Sequence, residues 1–255
     1  MIKRPDVPTH ARALIGMGVG ALSPSLAPVF IDLSGTSPGT ASYLRCALTL
    51  PLLALLCAPE RRKEGSPGAR HLVLAALAGA LFAGDMLLWT AAIGEVGAGL
   101  STVLVNVQVV LVPLLAWLVD GERVARRFLF LLRRGGLSGQ IRQTYLVVTA
   151  SAALVSLGAG ALWSGVTYAP GWAALGWLAG ASLTSGVIGW LLVAVHSPRL
   201  ASHVGAVLLL LTPVGALVFG AVALGERPTP LQLAGCALLL ASGYFAVRTP
   251  ATKEA

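Results

Sequence analysis

The sequence predicts an all-α fold, a polytopic transmembrane bundle of eight helices with both termini in the cytoplasm. Three observations predict it. First, 56% of the 255 residues are hydrophobic and only 11% charged, with a mean hydropathy of +0.82, against roughly 25% charged in a soluble domain. Second, the apolar residues collect into runs long enough for a hydrocarbon core of about 30 Å, which takes roughly 20 helical residues. Third, sixteen of the eighteen Lys and Arg residues fall on one side of the resulting topology, as cytoplasmic loops require.

The eight runs cover residues 11–31, 39–58, 71–93, 99–119, 144–164, 172–195, 204–223 and 231–249. The first follows a basic start, MIKRPDVPTHAR, that suits a signal anchor as well as a span. Its ALSPSLAPVF stretch places a kink at Pro24 or Pro28, because a proline removes a backbone donor and crowds the preceding turn. The second run carries Arg45 among apolar neighbours, and the third carries Asp85 and Trp89. The fourth contains Asn106, Gln108 and Pro113, and the sixth Ser182, Thr184 and Ser185. Thr212 and Pro213 lie in the seventh, and Trp163 and Trp172 flank the loop between the fifth and sixth as expected interfacial anchors.

Charge placement sets the orientation. The loops IDLSGTSPGT, GEVGAG and SGVTYAPG hold no Lys or Arg; Arg227 is the lone outer cation and Arg45 lies within a span. The net charge of +8 therefore reports topology, and no nucleic-acid partner is expected. Cys46, Cys57 and Cys236 fall inside apolar runs without CxxC or metal spacing, so neither a disulfide framework nor a metal or other cofactor is predicted.

Two stretches repeat: VQVVLVPLLAWLVDGER at 107–123 and LTPVGALVFGAVALGER at 211–227. The predicted topology runs them in opposite directions, the mark of an inverted-topology repeat. Between them lies RRFLFLLRR at 126–134, an apolar stretch too short to cross a bilayer. It is expected to lie as a basic turn at the membrane interface. The expected division is a first repeat over 1–123, a basic junction over 124–143 and a second repeat over 144–255.

LFAGDMLLWTAAIGEVGAGLSTVLVNVQVVLVPLLAWLVDGER (81–123) and LLLLTPVGALVFGAVALGERPTPLQLAGCALLLASGYF (208–245) resemble EamA-type members of the drug/metabolite transporter superfamily, as does the in-membrane arginine of SYLRCALTLPLLALL. The resemblance implies ten helices in a 5+5 inverted repeat and a secondary carrier that exports small metabolites or amino acids by alternating access. It implies residence in the bacterial cytoplasmic membrane as a multi-pass protein. This chain departs from the pattern in two places. Val109 stands where the family has a proline, with Pro113 a turn further on, and the family's fifth and sixth helices have no counterpart around RRFLFLLRR. The alternative is therefore a non-transporting remnant or scaffold that needs a partner, such as a second copy in a homodimer, to close the bundle.

Intramembrane charges are costly and by default functional. At the helical rise, Arg45 lies ~9 Å and Asp85 ~12 Å from the outer ends of their spans, and Asn106 and Gln108 reach ~10 and ~14 Å. These four, with Trp89, Thr184 and Thr212, are the candidate cavity residues. Arg45 would meet a substrate carboxylate, and Asp85 a proton or an amine; the structural reading is an Arg45–Asp85 ion pair with the amides bonding between helices. Pro113 and Pro213 are the expected helix kinks. Glu122 and Glu226 end the repeat helices, where a carboxylate opposes the macrodipole, so each should be held by the adjacent arginine or cap another helix. Gly16-x3-Gly20 and Gly176-x3-Gly180 suit close helix packing. No enzyme is expected: GLSG at 136–139 sits in a basic loop, and all four histidines lie at or beyond helix ends.

Overall fold

The computed structural model describes residues 7–65, 67–106, 141–200, 202–230, 232–238 and 241. Among them the chain is helical with no strand. Helix α1 (Val7–Leu22) passes through a 3-10 turn (Ser23–Leu26) into α2 (Ala27–Ser34). Both expected prolines act, since Pro24 sits inside the 3-10 turn and Pro28 in the first turn of α2, where its missing N–H is tolerated. Gly35 then takes the left-handed conformation that ends α2. Ser37 caps α3 (Pro38–Glu64) by accepting from the Thr40 amide at 3.3 Å.

Helix α4 covers Ala69–Val96, α5 begins at Ala98 and is described to Asn106, and α6 spans Ile141–Trp163. The next span is composite: α7 (Trp172–Ala181), a π-helical segment (Ser182–Gly189) and α8 (Trp190–His196). The one after it is interrupted at Leu210, between α9 (Ser202–Leu209) and α10 (Leu211–Ala223). Residues 232–238 are helical, within the eighth predicted run. Five helical stretches among the described residues are long and apolar enough to cross a membrane, and Val207–Ala223 is a shorter apolar one. RRFLFLLRR, Gln108, Pro113 and Glu122 lie outside the described residues.

The described chain forms two compact units, and neither is a sequence half. One unit comprises α1, the 3-10 turn, α2, the start of α5 and the chain from Gly171 onward; the other comprises α3, most of α4 and α6. In the second unit α3 packs along α6, and Gly39 meets Gly160 so closely that a Cβ at Gly39 would stand 2.9 Å from the Gly160 Cα. Its core joins Cys46, Ala83, Met86, Ala152 and Ala153. In the first unit Ala13, Met17 and Leu200 form one cluster, and Val103, Leu217 and Cys236 another.

Small residues make up much of the interior, and many leucines lie on the outside. Ala13, Ala41, Ala152, Ser42 and Ser156 are buried, whereas Leu81 and Leu162 are 78% and 92% exposed. That inversion of the soluble pattern is what helices in lipid require, because apolar surface need not be hidden and close backbone approach supplies the packing. The chain is a multi-pass helical membrane protein.

Candidate functional site

Helix α3 brings Arg45 to the α4 side of the second unit. Its guanidinium carbon lies 5.3 Å from the ring centroid of Trp89, the cation–π arrangement, which strengthens when water is excluded. Around it run two further contacts between the same helices. The hydroxyls of Ser42 and Thr90 are 3.3 Å apart, and the Cys46 thiol points to the Met86 sulfur at 3.9 Å. Residues 42, 45 and 46 on α3 and 86, 89 and 90 on α4 are spaced three to four apart, which places each set on one helix face.

Asp85 takes a different position. It is exposed, on the stripe of α4 that carries exposed Leu81 and Leu88. Among the described residues no ion pair joins it to Arg45. The reason is angular: four residues advance about 40° beyond one full turn, enough to carry Trp89 from the Asp85 stripe towards α3. Trp89 is accordingly half-buried under a cation, in contrast to Trp163 and Trp172, which are exposed at 58% and 91% as interfacial aromatics would be. Its indole Nε1 is buried with no hydrogen-bond partner among the described residues. Asn106, half-buried, ends the described part of α5.

The hydroxyl candidates divide by partner. Thr184 Oγ1 donates to Gly180 O at 2.8 Å, and Ser182 and Ser185 likewise bond the carbonyls of Leu178 and Ala181 four residues back. Thr212 instead crosses between helices, donating from Oγ1 to Ala21 O at 2.7 Å, while its own carbonyl accepts from Ser25 Oγ at 2.9 Å. Ser25 was not a candidate from the sequence; its SPS setting between two prolines was the available signal. Pro213 is fully buried beside it.

Glu226 resolves to a cap. Its Oε1 accepts from the Ala98 amide at 2.6 Å and its Oε2 from the Gly99 amide at 3.1 Å. The carboxylate therefore occupies the positive end of α5, where free N–H groups and the helix dipole both favour an anion. A Cβ at Gly97, Gly99 or Gly220 would come within 2.7, 3.1 or 2.5 Å of this carboxylate, so the three glycines make the space it fills.

Helix packing bears out one glycine pair fully and the other by half. Gly20 meets Leu192 Cβ and the Val193 backbone, and Gly16 meets the His196 ring, so α1 lies directly on α8. Gly180 faces the Phe30 ring, which stacks with Trp177 at a centroid distance of 5.8 Å, while Gly176 meets no neighbour among the described residues. Among the described residues no group of His, Cys, Asp and Glu is placed to hold a metal ion.

Comparison with known proteins supplies the family. No curated protein and no solved structure matches the chain. The model of the EamA-like transporter family matches twice, over residues 11–133 and 134–248. Two consecutive copies of the same unit over nearly the whole length agree with the repeated GER sequences and the membrane-spanning architecture, and the chain belongs to the EamA-like transporter family.

Proposed function

We propose that this membrane protein of a transporter family is a secondary carrier that exports small metabolites or amino acids by alternating access. The observation that carries the reading is Arg45, a guanidinium held on an indole face within a helical unit otherwise packed with small apolar residues. A charge maintained at such a position costs roughly 2.5–3.5 kcal/mol on insertion scales, which fits recognition of a substrate carboxylate. The unpartnered Trp89 N–H adds a second donor beside it. Asp85, on another stripe of the same helix, is then free to serve a separate role in taking a proton or an amine. The protein is assigned to the bacterial cytoplasmic membrane with both termini inside. Uptake of amino acids and small amines into proteoliposomes under a proton gradient tests this. Arg45→Ala is expected to abolish uptake per molecule of inserted protein, and unchanged uptake per molecule would overturn the role of Arg45.

A second reading has its own observation. Asp85 stands among exposed leucines, where a carboxylate facing hydrocarbon is costly. This favours a scaffold or remnant whose exposed flank is covered by another subunit, a homodimer being the simplest. Uptake that persists in monomeric preparations would exclude it.

A further inference from the structure

We propose that the first unit contains a joint, formed where three interrupted helices meet, about which its two ends bend relative to each other. The interruptions differ in kind. The α1–α2 span tightens to a 3-10 turn at Ser23–Leu26, the α7–α8 span widens to a π segment at Ser182–Gly189, and the α9–α10 span breaks at Leu210, whose amide bonds Val207 O, three residues back, at 3.1 Å. Pro24 and Pro213 withhold the N–H groups that a continuous helix would direct to the carbonyls of Gly20 and Leu209.

The three breaks touch one another. A Cβ at Gly189 in the π segment would lie 2.6 Å from Pro24 Cγ, and one at Gly215 in α10 would lie 2.5 Å from Ser25 Oγ. Ser25, fully buried, donates to Thr212 O, and Thr212 donates back to Ala21 O. At this point the regular α-helical ladders are interrupted, and two side-chain bonds and glycine contacts join the three spans. A helix bends most easily where its ladder is already interrupted, and mid-helix 3-10 and π segments are recurrent places for such motion.

On either side the unit is firmly packed. Towards one end α2 lies along α7, with Phe30 on Trp177 and Gly180. Towards the other, α1 lies on α8 and α9 through Gly16, Gly20 and the Ala13–Met17–Leu200 cluster. Two close-packed ends joined through a jointed level form the arrangement of a hinge. Among the described residues the second unit shows no such meeting of interrupted helices: α3, α4 and α6 are α-helical over 27, 28 and 23 residues, and Pro51 and Pro59 lie inside α3 without a 3-10 or π segment.

This inference requires no knowledge of the cargo, so it stands or falls separately from the carboxylate reading of Arg45. The test is amide hydrogen exchange on the full chain in lipid nanodiscs. Peptides covering the 3-10 turn, the π segment and Leu210 should exchange on the order of ten-fold faster than α1 and α7 beside them, as locally opening segments do. In Ser25→Ala/Thr212→Val, exchange should rise further within Ser182–Gly189, a segment that neither substitution alters. Protection of the three breaks equal to that of α1 and α7 would overturn the joint, a comparison in the wild-type chain that needs no variant to fold. A rise confined to the two substituted helices would overturn it as well.

Discussion

Glu226 shows how much one side chain can depend on helix ends far away in sequence. At the end of its own helix the carboxylate opposes the local dipole; at the start of α5, 128 residues earlier in the chain, it meets two amides that have no intrahelical acceptor. Glu226→Ala should cost about 0.5–2 kcal/mol, the range for a lost N-cap, and should appear as a lower midpoint of thermal unfolding in detergent. Gly220→Ala should be destabilising too, because its methyl would stand 2.5 Å from the carboxylate. Arg45 and Trp89 form the other informative pair. Trp89→Leu removes a cation–π contact of about 1–2 kcal/mol, whereas Trp89→Phe keeps an aromatic face. A fluorescent fusion reporting membrane abundance should therefore rank wild type above Phe and Phe above Leu.

Among the elements, α1 and α8 depend on glycine for their separation. The imidazole of His196 donates from Nδ1–H to Leu192 O, 2.9 Å away, and lies over Gly16, where a Cβ would approach the ring to 2.5 Å. Gly16→Leu should push the helices apart and cost about 1–3 kcal/mol, as overpacking does. Adding His196→Ala should recover part of that loss, a non-additivity that a double-mutant cycle on unfolding free energies measures directly. Among the described residues the same glycine spacing in α7 yields one contact, since Gly180 meets Phe30 and Gly176 meets none of them. Spacing places two glycines on one face, but a neighbouring helix has to lie on that face for them to matter.

At the scale of the whole molecule, the charge distribution predicts which loops face the cytoplasm. With Cys46, Cys57 and Cys236 replaced by Ala, a cysteine at Ser34 should react with a membrane-impermeant maleimide in intact cells. One at Arg61 should react only after permeabilisation. The opposite pattern would invert the topology that the Lys and Arg count implies.

The spans and their starts were readable because both follow from local chemistry. Every predicted run that falls on described residues begins within a few positions of an observed helix, from Pro38 for the run starting at 39 to Trp172 for the run starting at 172. The kinks at Pro24 and Pro28 follow from the missing N–H in the same way. Less of the site was legible. A shared depth put Arg45, Asp85, Asn106 and Gln108 at one level, but depth omits the rotation of each helix about its axis, and that rotation gave Arg45 to Trp89 and left Asp85 exposed.

By itself the sequence determined the membrane, the spans, the duplication and hence the family, because each is written in composition and spacing along one chain. The tertiary structure alone decided that helices from both halves mix in each unit, that Glu226 caps α5, and that three breaks meet around Ser25. Those outcomes depend on which helix faces settle against which. The energy of that choice lies in contacts between residues well over a hundred positions apart, beyond the reach of any local pattern.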